Sequence, residues 1–453
     1  MNKVNFWRKL WWAAAALTVG FSSMAQTNTN SAHLSITNPP PAPRRPSIIL
    51  ILADNIGYGD LGSYGQTKIK TPHLDELASQ GIRFTSYYTG SPNDEASRAS
   101  LFTGLEPRNI GASFSYPLPG DAVTVPMLLQ RVGYHTGLIG EWNLGDTPPV
   151  QPNAKGFNEF AGFLSQTHAR NYFTDSIYRQ DTSTGSNRLE STLSENWNGA
   201  HGLYVPDFLA EMAGNFVRIN LPDRVNHYRA FFLCLSYPIP HFDTPLNDST
   251  YSGESWSQAE RDRAAMITRM DENVGRLMAQ LSKLKADTNT VIVFTSIGGP
   301  QQEGAVDPKF FDSAGPLRGG AGSVYEGGIR VPMIIRWPAR IKPGQVSDFP
   351  WAAWDFLPTV ADIALTKPTA KTDGLSIIPV LTGKGKIKEH ENFYWESGQE
   401  ASDRAVRMGD WKMVRSGTNA PALYNLKTDI GEKEDVAAKH AEVIRKMENL
   451  RKR

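Results

Sequence analysis

The chain has 453 residues, of which 40% are hydrophobic, so it is long enough to bury a large core. Its 47 basic and 46 acidic residues nearly cancel, which argues against a nucleic-acid partner, since no general excess of positive charge displaces counterions from phosphates. A single cysteine, Cys234, excludes an internal disulfide, and the apolar run around it is typical of a buried strand.

Residues 1–25 have the organisation of a secretory signal peptide. Three basic residues precede the apolar run LWWAAAALTVGF, and the small residues Ser23 and Ala25 predict cleavage after Ala25. Because this run is shorter than the roughly 20 residues that span a bilayer, we expect cleavage and no transmembrane anchor. The sequence thus predicts an exported protein, located in the periplasm, on the outer surface or in the medium.

The segment 26–45 is polar and then rich in proline, which predicts an extended, disordered leader. The folded part begins near Pro46 with SIILILAD, a nearly continuous apolar run typical of a strand that is covered on both faces. Further strands are predicted at HTGLIGEW, RAFFLCLSY, TVIVFTS and VPMIIRW.

Helices are predicted between these strands. The clearest is SQAERDRAAMITRMDENVGRLMAQLSKLK, in which apolar residues recur every three or four positions. A shorter helix begins at Thr71 and Pro72 and ends before Gly81. Strands alternating with helices predict an α/β domain over residues 46–370, with a mostly parallel sheet flanked by helices on both faces. Ligands of such sheets bind beyond the carboxyl ends of the strands.

The pattern changes to short segments from about Lys371. The segments ENFYWES, DWKMVRS and ALYNLK predict a short antiparallel sheet, and VAAKHAEVIRKMENLRKR predicts a terminal helix. Residues 371–453 are therefore expected to form a smaller C-terminal subdomain.

A series of segments, in order along nearly the whole mature chain, resembles the sulfatase family (arylsulfatase-like) of the alkaline phosphatase superfamily. They include SIILILADNIGYGDLGSYG, TPHLDELASQGIRF, SRASLFTGLEPRNIG, GLIGEWNLG, VIVFTS, LRGGAGSVYEGGIRVPMIIRWPARI and ALYNLKTDIGEKED. The resemblance implies the same two-part fold. It also implies hydrolysis of a sulfate ester by a formylglycine made from the cysteine of a C-x-P-S-R motif, with a calcium ion and several cationic side chains holding the sulfate oxygens.

The nucleophile implied by the resemblance is missing from this sequence. Matching SRASLFTG to the family pattern places Asp94 where the cysteine belongs and Ala96 where its proline belongs. Neither formylglycine nor a serine alcohol can be made from aspartate.

The calcium ligands implied by the family are also incomplete. Asp54 matches the first of two adjacent aspartates, but the second is Asn55, and the later T-S-D motif reads TSIGG, with Ile297 and Gly298 at two ligand positions. Because calcium takes about six to eight oxygens, we expect no cofactor. Asp54, Asn55 and Asp94 leave at most a weak metal site.

Two of the cations that the family uses to hold sulfate have become Glu141 and Asn143, in GEWNLG instead of G-K-W-H-L-G. A further lysine position is held by Ala321, whereas Arg98 and His241 match the pattern. The glycines and prolines that shape the site are retained beside these changes.

The sequence therefore predicts a degenerate active site in an exported pseudoenzyme that serves binding or assembly. Its partner would be a glycan or another exported or outer-membrane protein. The aromatic residues Tyr58, Trp142 and Tyr325 could contact a glycan, although packing is the simpler interpretation.

A second interpretation is a sulfuric or phosphoric ester hydrolase with altered chemistry. In it Asp94 acts as the nucleophile, or as a metal ligand beside Asp54 and Asn55, and calcium would then be required. The simplest role for Asp94 is an ion pair with Arg98, four residues further along a helix.

Overall fold

The structure is a computed structural model that describes residues 45–111, 117–182, 186–222, 229–240, 246, 248–301, 306–307, 309–398 and 402–451, with the side chains of 186–189 and 451 left undescribed. The predicted signal peptide and nearly all of the predicted leader lie outside this part of the chain. Within it, no helix has the length and hydrophobicity needed to cross a membrane.

Strands and helices alternate through the first three quarters of the described chain. The strands are β1 (Ser47–Ala53), β2 (Ile82–Phe84), β3 (Tyr87–Tyr88), β4 (His135–Glu141), β5 (Glu159–Phe163), β6 (Ser176–Asp181), β7 (Ser186–Thr192), β8 (Phe231–Tyr237), β9 (Thr290–Ser296), β10 (Met333–Arg336), β11 (Gln345–Ser347), β12 (Trp351–Ala352), β13 (Phe393–Glu396), β14 (Arg404–Met408), β15 (Trp411–Arg415) and β16 (Ala422–Asn425). The helices are α1 (Pro72–Ser79), α2 (Asp94–Thr103), α3 (Pro107–Ile110), α4 (Val125–Arg131), α5 (Gln166–Ala169), α6 (Val205–Ile219), α7 (Gln258–Lys283), α8 (Glu326–Ile329), α9 (Phe356–Ile363), α10 (Ile378–Thr382) and α11 (Ala441–Arg451).

A ten-stranded sheet organises the larger part, in the order β11-β2-β10-β9-β1-β8-β4-β5-β6-β7. Its centre, β9-β1-β8-β4-β5, is parallel. β10 runs antiparallel between β9 and β2, and β6 and β7 add an antiparallel hairpin at the other edge. The predicted α/β fold is confirmed, including its parallel centre.

The two faces of this sheet carry separate hydrophobic cores. In β1, Ile49 and Ile51 join one core, whereas Ile48 and Leu50 join the other, as the two-residue repeat of a strand requires. Helices α1, α6 and α7 contribute to the first core, and α2, α4 and α9 to the second. The sequences of the central strands are continuously apolar because both faces of the sheet are buried.

The long predicted helix is confirmed as α7. Ser257 and Glu260 form a reciprocal capping box at its start, which satisfies backbone N–H groups that have no partner within the helix. Asp271 of α7 accepts hydrogen bonds from the backbone N–H groups of His73 and Leu74 at distances of 3.1 and 2.7 Å. This contact joins α7 to α1, the second predicted helix.

A four-stranded antiparallel sheet, β13-β14-β15-β16, forms the C-terminal part, as predicted. The terminal helix begins later than its sequence pattern indicates. A 3-10 turn at Ala437–Lys439 is separated from α11 by His440, whose backbone is not helical and whose ring packs on Trp411 with centroids 4.7 Å apart.

Buried charges connect the C-terminal sheet to helix α8. Lys412 of β15 lies 2.9 Å from Oε1 of Glu326 and 2.9 Å from Oε1 of Glu432, and all three side chains are fully buried. Tyr88 and Arg330 also contact Glu326. Burial raises the pKa of the Glu326 carboxyl, but the ammonium of Lys412 and the guanidinium of Arg330 outweigh burial and lower that pKa to about 2.

We expect the Lys412→Met substitution to lower the free energy of unfolding by about 3–5 kcal/mol, because it leaves two buried carboxylates without their shared ammonium. Urea unfolding measures this difference. Lys439, which lies 3.6 Å from Glu434 on the surface, provides the matched control. Lys439→Met is expected to change the same quantity by no more than about 0.5 kcal/mol, and equal losses in both variants would contradict the assignment.

Candidate functional site

The candidate site lies where four adjacent parallel strands end. The strands lie in the order β9-β1-β8-β4. Ile297 follows β9, Asp54 follows β1, Ser236 is the second-last residue of β8, and Glu141 is the last residue of β4. The carboxyl ends of parallel strands meet at one edge of the sheet, so residues far apart in sequence come together there. The edge is the one at which the sequence predicts ligand binding.

Helix α2 brings Asp94 to this edge. The Asn93 side chain caps the helix by accepting a hydrogen bond from the Ala96 N–H at 2.9 Å, and Asp94 is the first helical residue. Nδ2 of Asn55 donates to Oδ2 of Asp94 at 3.1 Å and to Oε1 of Gln301 at 3.0 Å. Asn55 has a φ of +66°, a left-handed conformation that asparagine tolerates better than most residues.

Gly298 leaves room for these two side chains. A β-carbon at position 298 would lie 2.5 Å from Oδ1 of Asn55 and 2.8 Å from Oδ1 of Asp94, both closer than a real β-carbon comes to another atom. A metal-ligating side chain at position 298 would therefore collide with Asn55 and Asp94 where these side chains now lie.

Ile297 belongs to the hydrophobic core. It is buried, its N–H donates to the Ala53 carbonyl at 3.0 Å, and its own carbonyl accepts a hydrogen bond from Oγ of Ser97 at 2.8 Å. The side chain offers no oxygen, and its surroundings are apolar.

Arg98 is buried beside Glu141, with side-chain exposures of 1% and 0%. Nη1 of Arg98 donates to the Glu141 carbonyl at 3.1 Å and to Oγ of Ser236 at 2.7 Å, and Nη2 lies 3.6 Å from Oε2 of Glu141. The ion pair predicted for Arg98 was with Asp94, whereas the one found is with Glu141. The charge of the guanidinium is therefore balanced inside the protein.

A cleft of about 310 Å³ opens beside Asp94. It is lined by Asn93, Asp94, Glu95, Gln166, Gln301 and Ala321, and Ser397 from the C-terminal part completes it. None of the described residues that line it is a lysine, arginine or histidine. Asn143 reaches towards it, with Nδ2 3.5 Å from Oε1 of Glu95.

The three aromatic candidates differ in their surroundings. Trp142 is fully buried, and its Nε1 donates to the Val150 carbonyl at 2.9 Å, so it serves packing. Tyr58 is buried against Tyr64, with ring centroids 4.9 Å apart. Tyr325 is half-buried, and the Arg318 guanidinium lies 3.9 Å from its ring centroid.

The remaining candidates from the sequence are His241 and Cys234. His241 lies outside the described residues, so its prediction stays a prediction. Cys234 is buried in β8, as predicted, and burial raises the pKa of its thiol to about 12, against the smaller lowering effect of Arg98. It is not a nucleophile at neutral pH.

Comparison with known proteins identifies the family. The model of the family described as Sulfatase matches residues 46–366, and the model described as N-sulphoglucosamine sulphohydrolase, C-terminal, matches residues 322–453. The chain belongs to the sulfatase family. Its similarity extends over nearly the whole described chain.

Relatives and solved structures agree with this membership. Arylsulfatase A of Homo sapiens is 30% identical, with 90% of this chain and 87% of the relative covered. N-acetylgalactosamine-6-O-sulfatase of Bacteroides thetaiotaomicron is 28% identical, with 90% and 92% covered. The crystal structure of Ps i-CgsB in complex with k-i-k-neocarrahexaose is 31% identical, with a TM-score of 0.76 and 90% and 92% covered.

Within this sulfatase fold, the structure adds residues that the sequence did not indicate. Ser236 contacts Arg98, Gln301 contacts Asn55, and Glu95 lines the cleft next to Asp94. Ser236 could have been found, because it lies near the carboxyl end of a predicted buried strand. The sequence gives no comparable indication for Gln301, because this residue lies in the segment after β9, whose path cannot be predicted from the sequence.

The donors that a sulfatase would use for calcium are not assembled in the described residues. No group of three or more His, Cys, Asp or Glu side chains among them is arranged to hold a metal ion. Ile297 and Gly298 supply no side-chain oxygen at the two positions where the resemblance implies ligands.

We expect the Glu141→Lys substitution, which restores the lysine of the family motif, to lower the free energy of unfolding by about 3–5 kcal/mol. The reason is that it places a second buried cation beside Arg98 and removes its counter-charge. Urea unfolding provides the measurement. Glu254→Lys, at an exposed position, is the charge-matched control and is expected to change stability by no more than about 0.5 kcal/mol. A stable Glu141→Lys protein would show that the Arg98–Glu141 pair is dispensable.

Proposed function

We propose that this sulfatase-family protein is a noncatalytic binding or assembly protein that is exported from the cytoplasm. The observation that carries the proposal is the site around Asp94. Asp94 stands at the position that the sequence resemblance assigns to the family nucleophile. Its carboxylate accepts a hydrogen bond from Asn55, and Glu95 lies beside it in the cleft wall.

The loss of positive charge at the candidate site supports the proposal that this protein does not hydrolyse esters. Enzymes of this kind stabilise oxygens that gain negative charge during the reaction, and each well-placed donor contributes roughly 3 kcal/mol. Here Glu141 and Asn143 replace two cations, and Arg98 is paired with Glu141. A carboxylate nucleophile would meet an anionic ester without sufficient charge compensation.

The donor set does not fit calcium, which takes about six to eight oxygens at 2.3–2.6 Å. Asn55 is an amide whose nitrogen, not its oxygen, faces Asp94 and Gln301. Position 298 has no side chain, and Ile297 is apolar. We therefore propose no metal cofactor and no reaction step that depends on one.

A glycan is the ligand class that the family context supports. The relatives named above include an N-acetylgalactosamine-6-O-sulfatase and a protein crystallised with k-i-k-neocarrahexaose. The cleft beside Asp94 offers amides and a hydroxyl from Asn93, Gln166 and Ser397, groups that pair readily with sugar hydroxyls.

The proposal that the protein is exported rests on the signal-peptide pattern of residues 1–25. An exported or outer-membrane protein is the other partner class.

One observation favours the second candidate, an ester hydrolase that uses Asp94. The carboxylate lies at the N-terminus of α2 and lines the cleft, so a substrate could reach it. The helix end stabilises the ionised carboxylate, which is the nucleophilic form. The neighbouring carboxylate of Glu95, which lines the same cleft, opposes an anionic substrate, and for this reason we prefer the noncatalytic function.

Calcium is expected to leave the melting temperature unchanged, because a ligand raises that temperature only if the native state binds it. The comparison is thermal unfolding with millimolar calcium against thermal unfolding with excess chelator. The variant Asn55→Asp serves as the companion, since it restores one carboxylate ligand without placing a side chain at position 298, where a β-carbon would collide with residues 55 and 94. A calcium-dependent shift in the unmodified protein would support the hydrolase.

We expect no turnover when the purified protein is incubated with aryl sulfates, sulfated sugars and phosphate monoesters, because nucleophile, metal ligands and cations are lost together. Product release followed by chromatography gives the measurement, and Asp94→Ala tests any activity found. Turnover that disappears in Asp94→Ala would establish the hydrolase. Binding without turnover on a glycan array would support the proposed function.

A further inference from the structure

His390 lies where the chain passes from α10 to the C-terminal sheet. Its side chain is 13% exposed, and Nε2 lies 2.7 Å from Oδ1 of Asp355. The ring also packs against Phe393, the first residue of β13, with centroids 5.0 Å apart. One side chain therefore contacts both the larger part of the protein and the first strand of the C-terminal sheet.

Asp355, the partner of His390, is held firmly in the larger part. Its side chain is 1% exposed, and the residue directly precedes α9. Oδ2 accepts a hydrogen bond from the Ala352 N–H at 2.9 Å, and Oδ1 accepts one from the Leu375 N–H at 2.7 Å. Because an ionised carboxylate only accepts hydrogen bonds, Nε2 of His390 is the donor in the contact between the two side chains.

Three carboxylates act on the His390 ring from separate segments. Glu106, the N-cap residue of α3, and Asp373, in the segment before α10, add their negative charge to that of Asp355. Arg108 lies 2.7 Å from Glu106 and balances part of this charge. The charged neighbours of the ring on its own segment are exposed, and they are Lys388, Glu389 and Glu391.

These surroundings favour the protonated ring. Burial lowers the pKa of His390, but the hydrogen bond to Asp355 and the charges of the three carboxylates outweigh burial and raise that pKa above its ordinary value. The positive charge of the ring therefore strengthens a contact between two parts of the chain.

We propose that His390 and Asp355 form a pH-dependent latch that holds the start of the C-terminal sheet against the larger part of the protein. The latch is strongest below the pKa of an exposed histidine, about 6.5, and weakens as the pH rises through the higher pKa of the folded state. Ser397, which completes the cleft beside Asp94, directly follows β13, so the latch supports one wall of that cleft. The inference is independent of the proposed function, because it concerns this contact and not what the cleft binds.

Hydrogen exchange measures the latch at the Leu375 N–H, whose acceptor is Asp355. When closing is faster than exchange, the protection factor of this amide, corrected for the intrinsic rate at each pH, reports how often the contact opens. We expect the factor to fall at least about threefold between about pH 6 and about pH 9, since each unit of pKa difference between the closed and open states changes the opening equilibrium about tenfold. An unchanged factor would contradict the latch.

Variants separate a pH-dependent latch from a contact that is only structural. His390→Gln keeps a neutral donor, so we expect its Leu375 protection factor to stay constant over this pH range. Asp373→Asn removes one carboxylate but keeps the hydrogen bond between His390 and Asp355, so the fall should be smaller than in the unmodified protein. This second variant stands in if His390→Gln does not fold. A fall as large in the variants as in the unmodified protein would overturn the proposal.

The matched control is His440→Gln, because His440 lies 3.7 Å from Glu442 in a pair on the surface. It is expected to leave the pH dependence at Leu375 unchanged, since exposed pairs contribute little. Burial raises the pKa of Asp271 to about 6, but this residue is present in every variant, so its effect cancels in the comparison. Loss of the pH dependence in His440→Gln would place its origin elsewhere and overturn the latch.

Discussion

Arg98 is buried beside Glu141, and the candidate site is organised around the need to balance that charge. A buried guanidinium without a counter-charge would destabilise the fold by several kcal/mol, and Glu141, its carbonyl and Ser236 meet that requirement from two adjacent strands. Since the counter-charge is part of the protein, the arginine does not need a bound anion. The residue that resembles a sulfate ligand in sequence thus has a structural role here.

Asn55, Asp94 and Gly298 also depend on one another for space and hydrogen bonding. The first two side chains occupy the space that a side chain at 298 would need, so the three residues form one consistent arrangement. Around them the scaffold is intact. At Gly57 a β-carbon would lie 2.1 Å from the Ser313 carbonyl oxygen, so only glycine allows this close approach beside the site. The buried contacts of Lys412 likewise join the C-terminal sheet to helix α8.

Family membership and activity are separate conclusions for this chain. The family models and relatives establish a sulfatase fold, and a fold supports different functions according to the groups placed on it. The described cleft has carboxylates, amides and a hydroxyl where a sulfate would need cations. This chemistry favours a ligand that donates hydrogen bonds and carries no negative charge.

By itself the sequence determined the α/β fold, the long helix α7, the C-terminal sheet and the family, because burial on both faces, helical periodicity and motif order are local properties of the chain. It also located Asp54, Asn55, Asp94 and Glu141 at strand and helix ends. Tertiary structure decided that Arg98 pairs with Glu141, that Trp142 is packed in the core, that β10 runs antiparallel, and that Gln301 and Ser236 join the site. Which residue pairs with a buried charge or amide depends on which strand ends and loops come together in space. The periodicity of the sequence carries no information about the distances between these segments.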